Sequence, residues 1–268
     1  MINHLKKIYS EKAESIERYM KLYSKEDLKK KIDAYKNYYD FKKPLTNKKK
    51  INIIAEIKKA SPSAGEIVKN YNPTEIAKKY FKSGATCLSV LTEEKNFAGK
   101  IEDIHEIKKE VKLPILCKDF IYDTYQLYLA RAFGADAVLI IINGTGVVLA
   151  QKLQILAKAL GLAVIYEVHS TFEAKEVVGM EDVILGINNR NLETLETNIK
   201  NTFDVHKNVL IKEKHPGPIV CESGIKSERE VEEIFKKTKI NNFLIGESLL
   251  KDLDKNSSLL SKILQIKA

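Results

Sequence analysis

The chain has 268 residues, of which 44% are hydrophobic, and its 45 Lys and Arg against 36 Asp and Glu give a formal net charge of +9. This length and apolar content exclude a disordered chain and predict a single domain with a sizeable core. The N-terminal segment lacks the apolar stretch of a signal peptide, and no run approaches about 18 apolar residues, so we expect a cytoplasmic protein without a membrane partner.

The excess of lysine has two interpretations. Lysines are scattered along the chain and form a run at Lys48–Lys50, close to the aromatic residues Tyr38 and Tyr39. A solvated, lysine-rich surface is the commoner meaning of this pattern, and no recognised nucleic-acid motif accompanies it. We therefore predict no nucleic-acid partner, and a basic binding module with salt-sensitive affinity remains the alternative outside enzymology.

Cysteine and histidine give no sign of a disulfide framework or a metal site. Cys87, Cys117 and Cys221 lie in separate apolar runs without C-x-x-C spacing, and are predicted to be small buried residues. The five histidines fall in no pattern of metal ligands, so we predict no metal.

Residues 1–50 are predicted to form a helical extension packed on the remainder of the chain. Ser24 is placed as the N-cap of a helix in which Leu28, Ile32 and Tyr35 recur at helical spacing. No Gly/Ser-rich linker follows, so residues 1–268 are predicted to be one domain, with the extension at 1–50 and a barrel at 51–268.

From residue 51 onward, apolar β-branched runs alternate with amphipathic stretches at intervals of about 30 residues, as in a (β/α)8 TIM barrel. Helix starts are predicted at Asn72, Ser170 and Ser227, and Gly84 and Gly134 are predicted to end helices. The eight candidate strands are Ile51–Ile57, Thr86–Leu91, Pro114–Lys118, Ala137–Ile142, Ala163–Glu167, Val183–Asn188, Pro218–Glu222 and Asn242–Ile245. An open doubly wound sheet is the alternative α/β fold, but it usually has fewer strands.

Charged and amide side chains stand at the ends of these apolar strands, where the active site of a parallel barrel lies. They are Glu56, Lys58, Lys118, Glu167, Asn188, Arg190 and Glu222. Each alone has an ordinary explanation, such as a salt bridge or a lysine that reaches solvent. Burial of isolated ions is costly, so the set together predicts a catalytic centre in which neighbouring charges separate pKa values.

The turns after the last two strands predict a phosphate site. They read Glu222-Ser223-Gly224 and Gly246-Glu247-Ser248, at positions where many barrels bind phosphate through backbone N–H groups. Two ordinary turns are the alternative, and either glycine alone is weak support.

These motifs together resemble the indole-3-glycerol phosphate synthase family over nearly the whole chain. The motifs are IAEIKKASPS at 54–63, LCKDFI at 116–121, YEVH at 166–169, GINNRNL at 186–192 and CESGI at 221–225. The resemblance implies that the substrate is 1-(o-carboxyphenylamino)-1-deoxyribulose 5-phosphate, which is closed to an indole ring with loss of carbon dioxide and water. It implies no cofactor.

The resemblance also implies roles for the ionisable groups. Lys118 would protonate the ketone oxygen, Lys58 would hold the anthranilate carboxylate, Glu167 would serve the later deprotonation and dehydration, and Glu56 would orient the lysines. A lysine is a poor proton donor at neutral pH unless its pKa falls, and we expect the facing Lys58 to lower the pKa of Lys118. Which lysine delivers the first proton stays open.

Other positions would bind the substrate. Asn188 and Arg190 would fix the ribulose-derived chain, Glu222, Ser223 and Phe120 would complete the pocket, and Ser61 would close over it. The phosphate would rest on Gly224, Gly246 and the neighbouring residues Glu247 and Ser248.

Two further points follow from the resemblance. The nearest rival is phosphoribosylanthranilate isomerase, whose Cys and Asp acid/base pair should lie at the first and a middle strand, where this chain offers Glu56 and Lys58 instead. We expect a monomer or a weak homodimer.

Overall fold

The computed structural model describes residues 4–253 and 258–267, so residues 1–3 of the predicted extension and residues 254–257 and 268 of the predicted barrel lie outside it. The helices are α1 (His4–Leu22), α2 (Lys25–Ala34), α3 (Lys42–Leu45), α4 (Pro73–Lys82), α5 (Glu102–Glu110), α6 (Thr124–Ala132), α7 (Ile142–Ala159), α8 (Thr171–Val177), α9 (Lys200–Val205), α10 (Glu228–Thr238), α11 (Glu247–Lys251) and α12 (Leu259–Leu264). The strands are β1 (Asn52–Ile57), β2 (Ala60–Ser61), β3 (Gly65–Glu66), β4 (Cys87–Leu91), β5 (Ile115–Lys118), β6 (Ala137–Ile141), β7 (Ala163–Val168), β8 (Ile184–Asn188), β9 (Ile219–Glu222) and β10 (Asn242–Ile245).

Parallel strands close into a barrel in the order β1-β10-β9-β8-β7-β6-β5-β4, which confirms the predicted (β/α)8 fold. Because β1 pairs with both β10 and β4, the open doubly wound sheet is excluded. Each of the eight predicted strands agrees with an observed strand to within one residue at either end. The antiparallel pair of β2 and β3, in the loop after β1, was not predicted, because two-residue strands carry no alternation to detect.

Polar caps begin the helices as predicted. The side chains of Asn72, Ser170 and Ser227 each accept a hydrogen bond from the backbone N–H three residues later. Ser24 caps α2 in the same way. Gly84 and Gly134 have φ of 89° and 100°, which L side chains rarely adopt, so these glycines end α4 and α6 at low cost.

Two apolar layers are built from the alternation of side chains along each strand. Ile54, Leu116 and Ile165 belong to a cluster inside the barrel, together with Phe41 and Leu45 of the extension. Residues of the opposite parity, such as Ile53 and Ile57, pack outward against the helices. The three cysteines are buried and unpaired with one another, as predicted.

The extension is helical, as predicted, and packs on the barrel. Leu28 of α2 is fully buried, and α2 lies against α6. The segment after α2 is held by Asp136, whose Oδ1 accepts from the Tyr39 N–H at 2.7 Å, and by the Tyr38 hydroxyl, which donates to the Arg131 carbonyl at 3.0 Å. The assignment of the whole chain to one domain stays a prediction.

A buried ion pair beneath this segment gives a stability prediction. The Lys108 ammonium contacts Asp136 Oδ2, and both side chains are almost fully buried. Lys108→Met would leave the carboxylate with only the Arg131 guanidinium, whose Nη1 lies 4.0 Å from Oδ1, and we expect the free energy of unfolding to fall by about 3 kcal/mol in a denaturant titration, the lower end of the range for a broken buried pair. Lys109→Met, which removes an exposed lysine paired with Glu106, should change it by less than about 1 kcal/mol. Equal effects of the two substitutions would contradict the argument.

Among the described residues, no helix is both long and apolar enough to cross a membrane.

Candidate active site

A cavity of about 710 Å³ opens at the carboxyl ends of the barrel strands. Every site residue predicted from the sequence lines it, although the residues come from distant parts of the chain. They are Glu56, Lys58, Ser61, Lys118, Phe120, Glu167, Asn188, Arg190, Glu222, Ser223, Gly224, Gly246, Glu247 and Ser248. The volume lies in the range of roughly 300–1,000 Å³ that is usual for small-molecule sites.

Lys118 and Glu167 form the central ion pair of the cavity. Lys118 ends β5 and its Nζ donates to Glu167 Oε2 of β7 at 2.9 Å. The Glu167 side chain is 2% exposed and that of Lys118 is 17% exposed, so the lysine faces the open space. Burial raises the pKa of Glu167, but the Lys118 and His169 charges outweigh burial and hold the pKa well below its usual range.

The expectation that Lys58 lowers the pKa of Lys118 is wrong. Burial lowers the pKa of Lys118, but Glu167, Glu222 and Glu56 together raise it above its ordinary value. These neighbours outweigh burial, so Lys118 is an ammonium ion at neutral pH.

Glu56 and Lys58, two residues apart on β1 and the following turn, form a second buried ion pair with Nζ 2.6 Å from Oε1. Gly246 makes room for it, because a methyl group at this position would lie 2.3 Å from Glu56 Oε1 and 3.1 Å from Lys58 Nζ. The glycine therefore serves the geometry of the ion pair as well as the turn after β10.

We expect Gly246→Ala to disturb catalysis more than folding. The φ of Gly246 is −117°, outside the left-handed region that requires glycine, and the added methyl group must displace the Glu56–Lys58 pair. Steady-state kinetics should show kcat/KM reduced by about 10–100-fold, as for a misplaced catalytic group. Gly179→Ala, which meets only the Glu213 carboxylate, is the matched control and should retain wild-type kinetics. Wild-type kinetics for both variants would contradict this role of Gly246.

Glu222, at the end of β9, is a buried carboxyl group whose pKa is shifted in the opposite direction from that of Glu167. Its side chain is almost completely buried, and neither of its oxygens has a hydrogen-bond partner within the described part of the chain. Burial and then the neighbouring Glu167 charge raise its pKa well above the usual value. Glu167 and Glu222 thus have pKa values moved in opposite directions, which is the pattern of an acid/base pair.

Asn188 ends β8 and Arg190 follows it, and both residues line the cavity. Asn188 Oδ1 accepts from the Arg190 N–H at 2.9 Å, which fixes the turn. Arg190 Nη1 donates to the Leu195 carbonyl at 2.6 Å and to Ser63 Oγ at 3.2 Å. This arginine therefore joins the loop after β1 to the loop after β8, on the side where Ser61 is buried.

The turns after β9 and β10 offer backbone groups, and not side chains, to a bound anion. Ser223 and Gly224 have φ of 65° and 77°, and for Ser223 this left-handed conformation is a local strain of the type found at functional sites. The Ser248 hydroxyl donates to the Ile225 carbonyl at 2.5 Å, and Glu247 pairs with Lys251. Since a carboxylate repels phosphate, only backbone groups of Glu247 fit an anion site.

An apolar wall of the cavity was missed from the sequence. Leu5 and Ile8 of α1 line the cavity together with Phe97 and the predicted Phe120. The Tyr9 ring meets Phe120 edge to face, with centroids 6.0 Å apart. The sequence predicts that the extension is helical, but no local sequence pattern predicts that α1 lies over the carboxyl ends of the strands.

The described residues contain no group of three or more His, Cys, Asp or Glu arranged to hold a metal ion.

Comparison with known proteins gives one family. Residues 5–261 match the family model described as indole-3-glycerol phosphate synthase. The chain is 43% identical over 199 residues to an indole-3-glycerol phosphate synthase of Burkholderia cenocepacia, which covers 74% of each chain. It is 41% identical over 242 residues to the corresponding enzyme of Trichodesmium erythraeum, covering 87% of this chain and 80% of the relative.

Solved structures support the fold alone. The 3-hexulose-6-phosphate synthase of Salmonella typhimurium superposes with a TM-score of 0.60 at 15% identity, over 80% of this chain and 97% of that one. Phosphoribosyl anthranilate isomerase of Thermotoga maritima superposes with a TM-score of 0.57 at 12% identity, again over 80% and 97%. At such identities a shared barrel does not imply a shared reaction.

Proposed function

The chain belongs to the indole-3-glycerol phosphate synthase family of carboxy-lyases in tryptophan biosynthesis, and we propose that its strand-end charges perform the ring closure of 1-(o-carboxyphenylamino)-1-deoxyribulose 5-phosphate. The observation that carries this proposal is the convergence of Lys58, Lys118 and Glu167, from three different strands, on one cavity. The reaction releases one carbon dioxide and one water, and the chain's own acids and bases supply the proton transfers.

The cavity matches the four parts of this substrate. The phosphate rests on the backbone of Gly224 and Gly246, the aromatic ring lies against Phe97 and Phe120, and the carboxylate pairs with Lys58. Asn188 and Arg190 hold the hydroxyl-bearing chain between them. The two anionic groups of the substrate thus meet polar regions of the cavity, and its aromatic ring meets the apolar wall.

Ring closure begins when the ring carbon that bears the carboxylate attacks the ketone carbon, and the ketone oxygen gains negative charge. Lys118 gives a proton to this oxygen. A raised pKa does not prevent the transfer, because the developing alkoxide is a stronger base than a lysine amine. The carbon–carboxylate bond then breaks and its electron pair restores the aromatic ring.

Dehydration completes the indole. The new hydroxyl group leaves as water with a proton from an acid of the site, and the adjacent ring carbon loses a proton to a base. Glu167, held ionised by its cations, is the base, and it stands beside Lys118 and Glu222, which both carry protons. Glu222 is a hydrogen-bond donor as long as its carboxyl group keeps its proton.

Glu222→Gln tests this last point. An amide resembles a protonated carboxyl group, so we expect kcat to fall by no more than about 10-fold, whereas loss of a general acid or base costs about 10²–10⁴-fold. Because the raised pKa of Glu222 costs stability as pH rises from its unfolded pKa through its folded pKa, the variant should be at least as stable as wild type at alkaline pH. A kcat loss equal to that of Glu167→Gln, or a destabilised variant, would show that Glu222 works as an anion.

The test of the proposed function is direct. The purified protein is incubated with the carboxyphenylamino substrate and the indole fluorescence is followed. We expect product formation without added metal or cofactor, and no turnover of N-(5-phosphoribosyl)anthranilate, the substrate of the rival isomerase. No cysteine lines the described part of the cavity, which disfavours the Cys/Asp pair of that rival. Isomerisation without indole formation would overturn the proposal.

Two expectations stay predictions. A monomer or weak homodimer is testable by sedimentation, and a cytoplasmic location follows from the family's biosynthetic role.

A further inference from the structure

Behind the central ion pair lies a row of four side chains that alternate in charge. Lys118 Nζ lies 2.9 Å from Glu167 Oε2, and Glu167 Oε1 lies 3.1 Å from Nε2 of His169. The opposite ring nitrogen of the histidine, Nδ1, lies 3.6 Å from Glu173 Oε2. Each carboxylate or cation thus has its counter-charge next to it, from the cavity into the protein.

The inner half of this row is buried and faces away from the cavity. The His169 side chain is 6% exposed, that of Glu173 is 9% exposed, and neither residue lines the cavity. An uncompensated ion at such a depth would be strongly unfavourable, so the row depends on its pairing.

Glu173 is fixed independently of the histidine ring. It lies in the first turn of α8, where Oε2 accepts from the His169 N–H at 2.8 Å and Oε1 accepts from Asn143 Nδ2 at 3.0 Å. Its position is therefore set by the start of the helix and by α7. The histidine ring lies between this fixed carboxylate and Glu167.

Resting on the proposed function, we propose that His169, kept as an imidazolium ion by Glu173, is a positioning residue that orients and charges the catalytic Glu167. Lys118 approaches one oxygen of Glu167 and His169 approaches the other, so the carboxylate cannot rotate without losing a cation. Substrate displaces or engages Lys118 during turnover, and His169 keeps Glu167 in place at that moment.

The electrostatics agree with this geometry. Burial alone would lower the pKa of His169, but the two carboxylates raise it to about 9. The carboxylates acting on the imidazole are Glu167, at the end of β7, and Glu173 on α8, and α7 contributes the neutral amide of Asn143. The nearby cation is Lys118, which pairs with the other oxygen of Glu167.

The first arm of the test needs no substrate. The imidazole signals of the five histidines are followed by NMR against pH in the full-length protein, and His169 is assigned by its loss in His169→Gln. We expect His169 to remain charged well above neutral pH, and to titrate at lower pH in Glu173→Gln. A neutral His169 at pH about 7 in the wild-type protein would overturn the proposal, because ordinary histidines have already lost their charge there.

The second arm is a double-mutant cycle on kcat. Glu173→Gln removes the charge and keeps one oxygen that can accept from the His169 N–H, since glutamine also serves in capping positions, while its NH2 group replaces the oxygen that accepts from Asn143 Nδ2. We expect His169→Gln to lower kcat by about 10–100-fold with a smaller change in KM, and Glu173→Gln to move the alkaline fall of kcat to lower pH. In the His169→Gln background, Glu173→Gln should have no further effect on kcat. His206→Gln, a half-buried histidine outside the cavity, is the matched control and should behave as wild type.

The outcomes separate the two proposals. Independent, multiplicative effects of His169→Gln and Glu173→Gln, or a kcat for His169→Gln equal to wild type, would overturn the positioning role. If His169→Gln fails to fold, the pH profile of kcat for Glu173→Gln still tests the positioning role, and a profile equal to that of wild type would overturn that role. If the wild-type protein forms no indole, the proposed function fails, and the NMR arm still decides whether His169 is the cation on Glu167.

Discussion

Replacing Lys118 with methionine is expected to reduce kcat by about 10²–10⁴-fold, the range for loss of a general acid. Lys118 is the cation at the centre of the cavity, and its ammonium group is the proposed donor to the ketone oxygen. Methionine keeps much of the side chain's volume, and Glu167 retains His169 as a partner. Circular dichroism and the melting temperature should therefore show a folded protein.

Lys109→Met, which removes an exposed lysine far from the cavity lining, is the control for Lys118→Met and should leave kcat unchanged. A Lys118→Met protein with wild-type kcat would contradict the acid role. In that event Lys58, the lysine of the second buried ion pair, would be the donor, and Lys58→Met would have to show the larger loss.

Glu167→Gln is the second substitution with a large expected effect, again about 10²–10⁴-fold on kcat. Glutamine cannot take the proton released during dehydration. It also removes the leading carboxylate that raises the pKa of Lys118, so the alkaline limb of the kcat profile should move to lower pH. The measurement is the pH dependence of kcat for wild type and variant over the same buffers.

The matched control for Glu167→Gln is Glu222→Gln, the same substitution at the neighbouring strand end. We expect the mild effect described above for Glu222 and the severe one for Glu167. If Glu167→Gln lost activity without any change in the pH profile, the carboxylate would be structural and not the base.

The sequence predicts the barrel well because each strand carries its own signal. Segments such as Asn52–Ile57 and Ala137–Ile141 are rich in β-branched residues, are buried on both faces and end where the sequence becomes more polar. The bounds of these strands can therefore be predicted from the neighbouring residues alone. The period of two along a strand then fixes which side chains face inward. Ile54 and Glu56 share one face, and the same parity predicts that the charged residues at the other strand ends face inward.

Properties that depend on distances between elements could not be predicted in this way. The pKa of Lys118 depends on Glu222 and Glu56 across the barrel, and the sequence gives no measure of their combined field. Leu5 and Ile8 reach the cavity only because α1 lies over it. His169 stands two residues after Glu167, but its charge depends on Glu173, whose sequence signal is only that of a helix start.

The structure of the wild-type protein with a bound substrate analogue, in which the ketone of 1-(o-carboxyphenylamino)-1-deoxyribulose 5-phosphate is reduced to an alcohol, tests the central claim most directly, since this analogue cannot undergo ring closure. We predict the phosphate on the backbone of Gly224 and Gly246, the carboxylate at Lys58, and the alcohol oxygen that replaces the ketone oxygen about 2.6–3.2 Å from Lys118 Nζ, the distance required for proton transfer. A bound analogue whose alcohol oxygen lies out of reach of Lys118, or a ligand outside this cavity, would contradict the account.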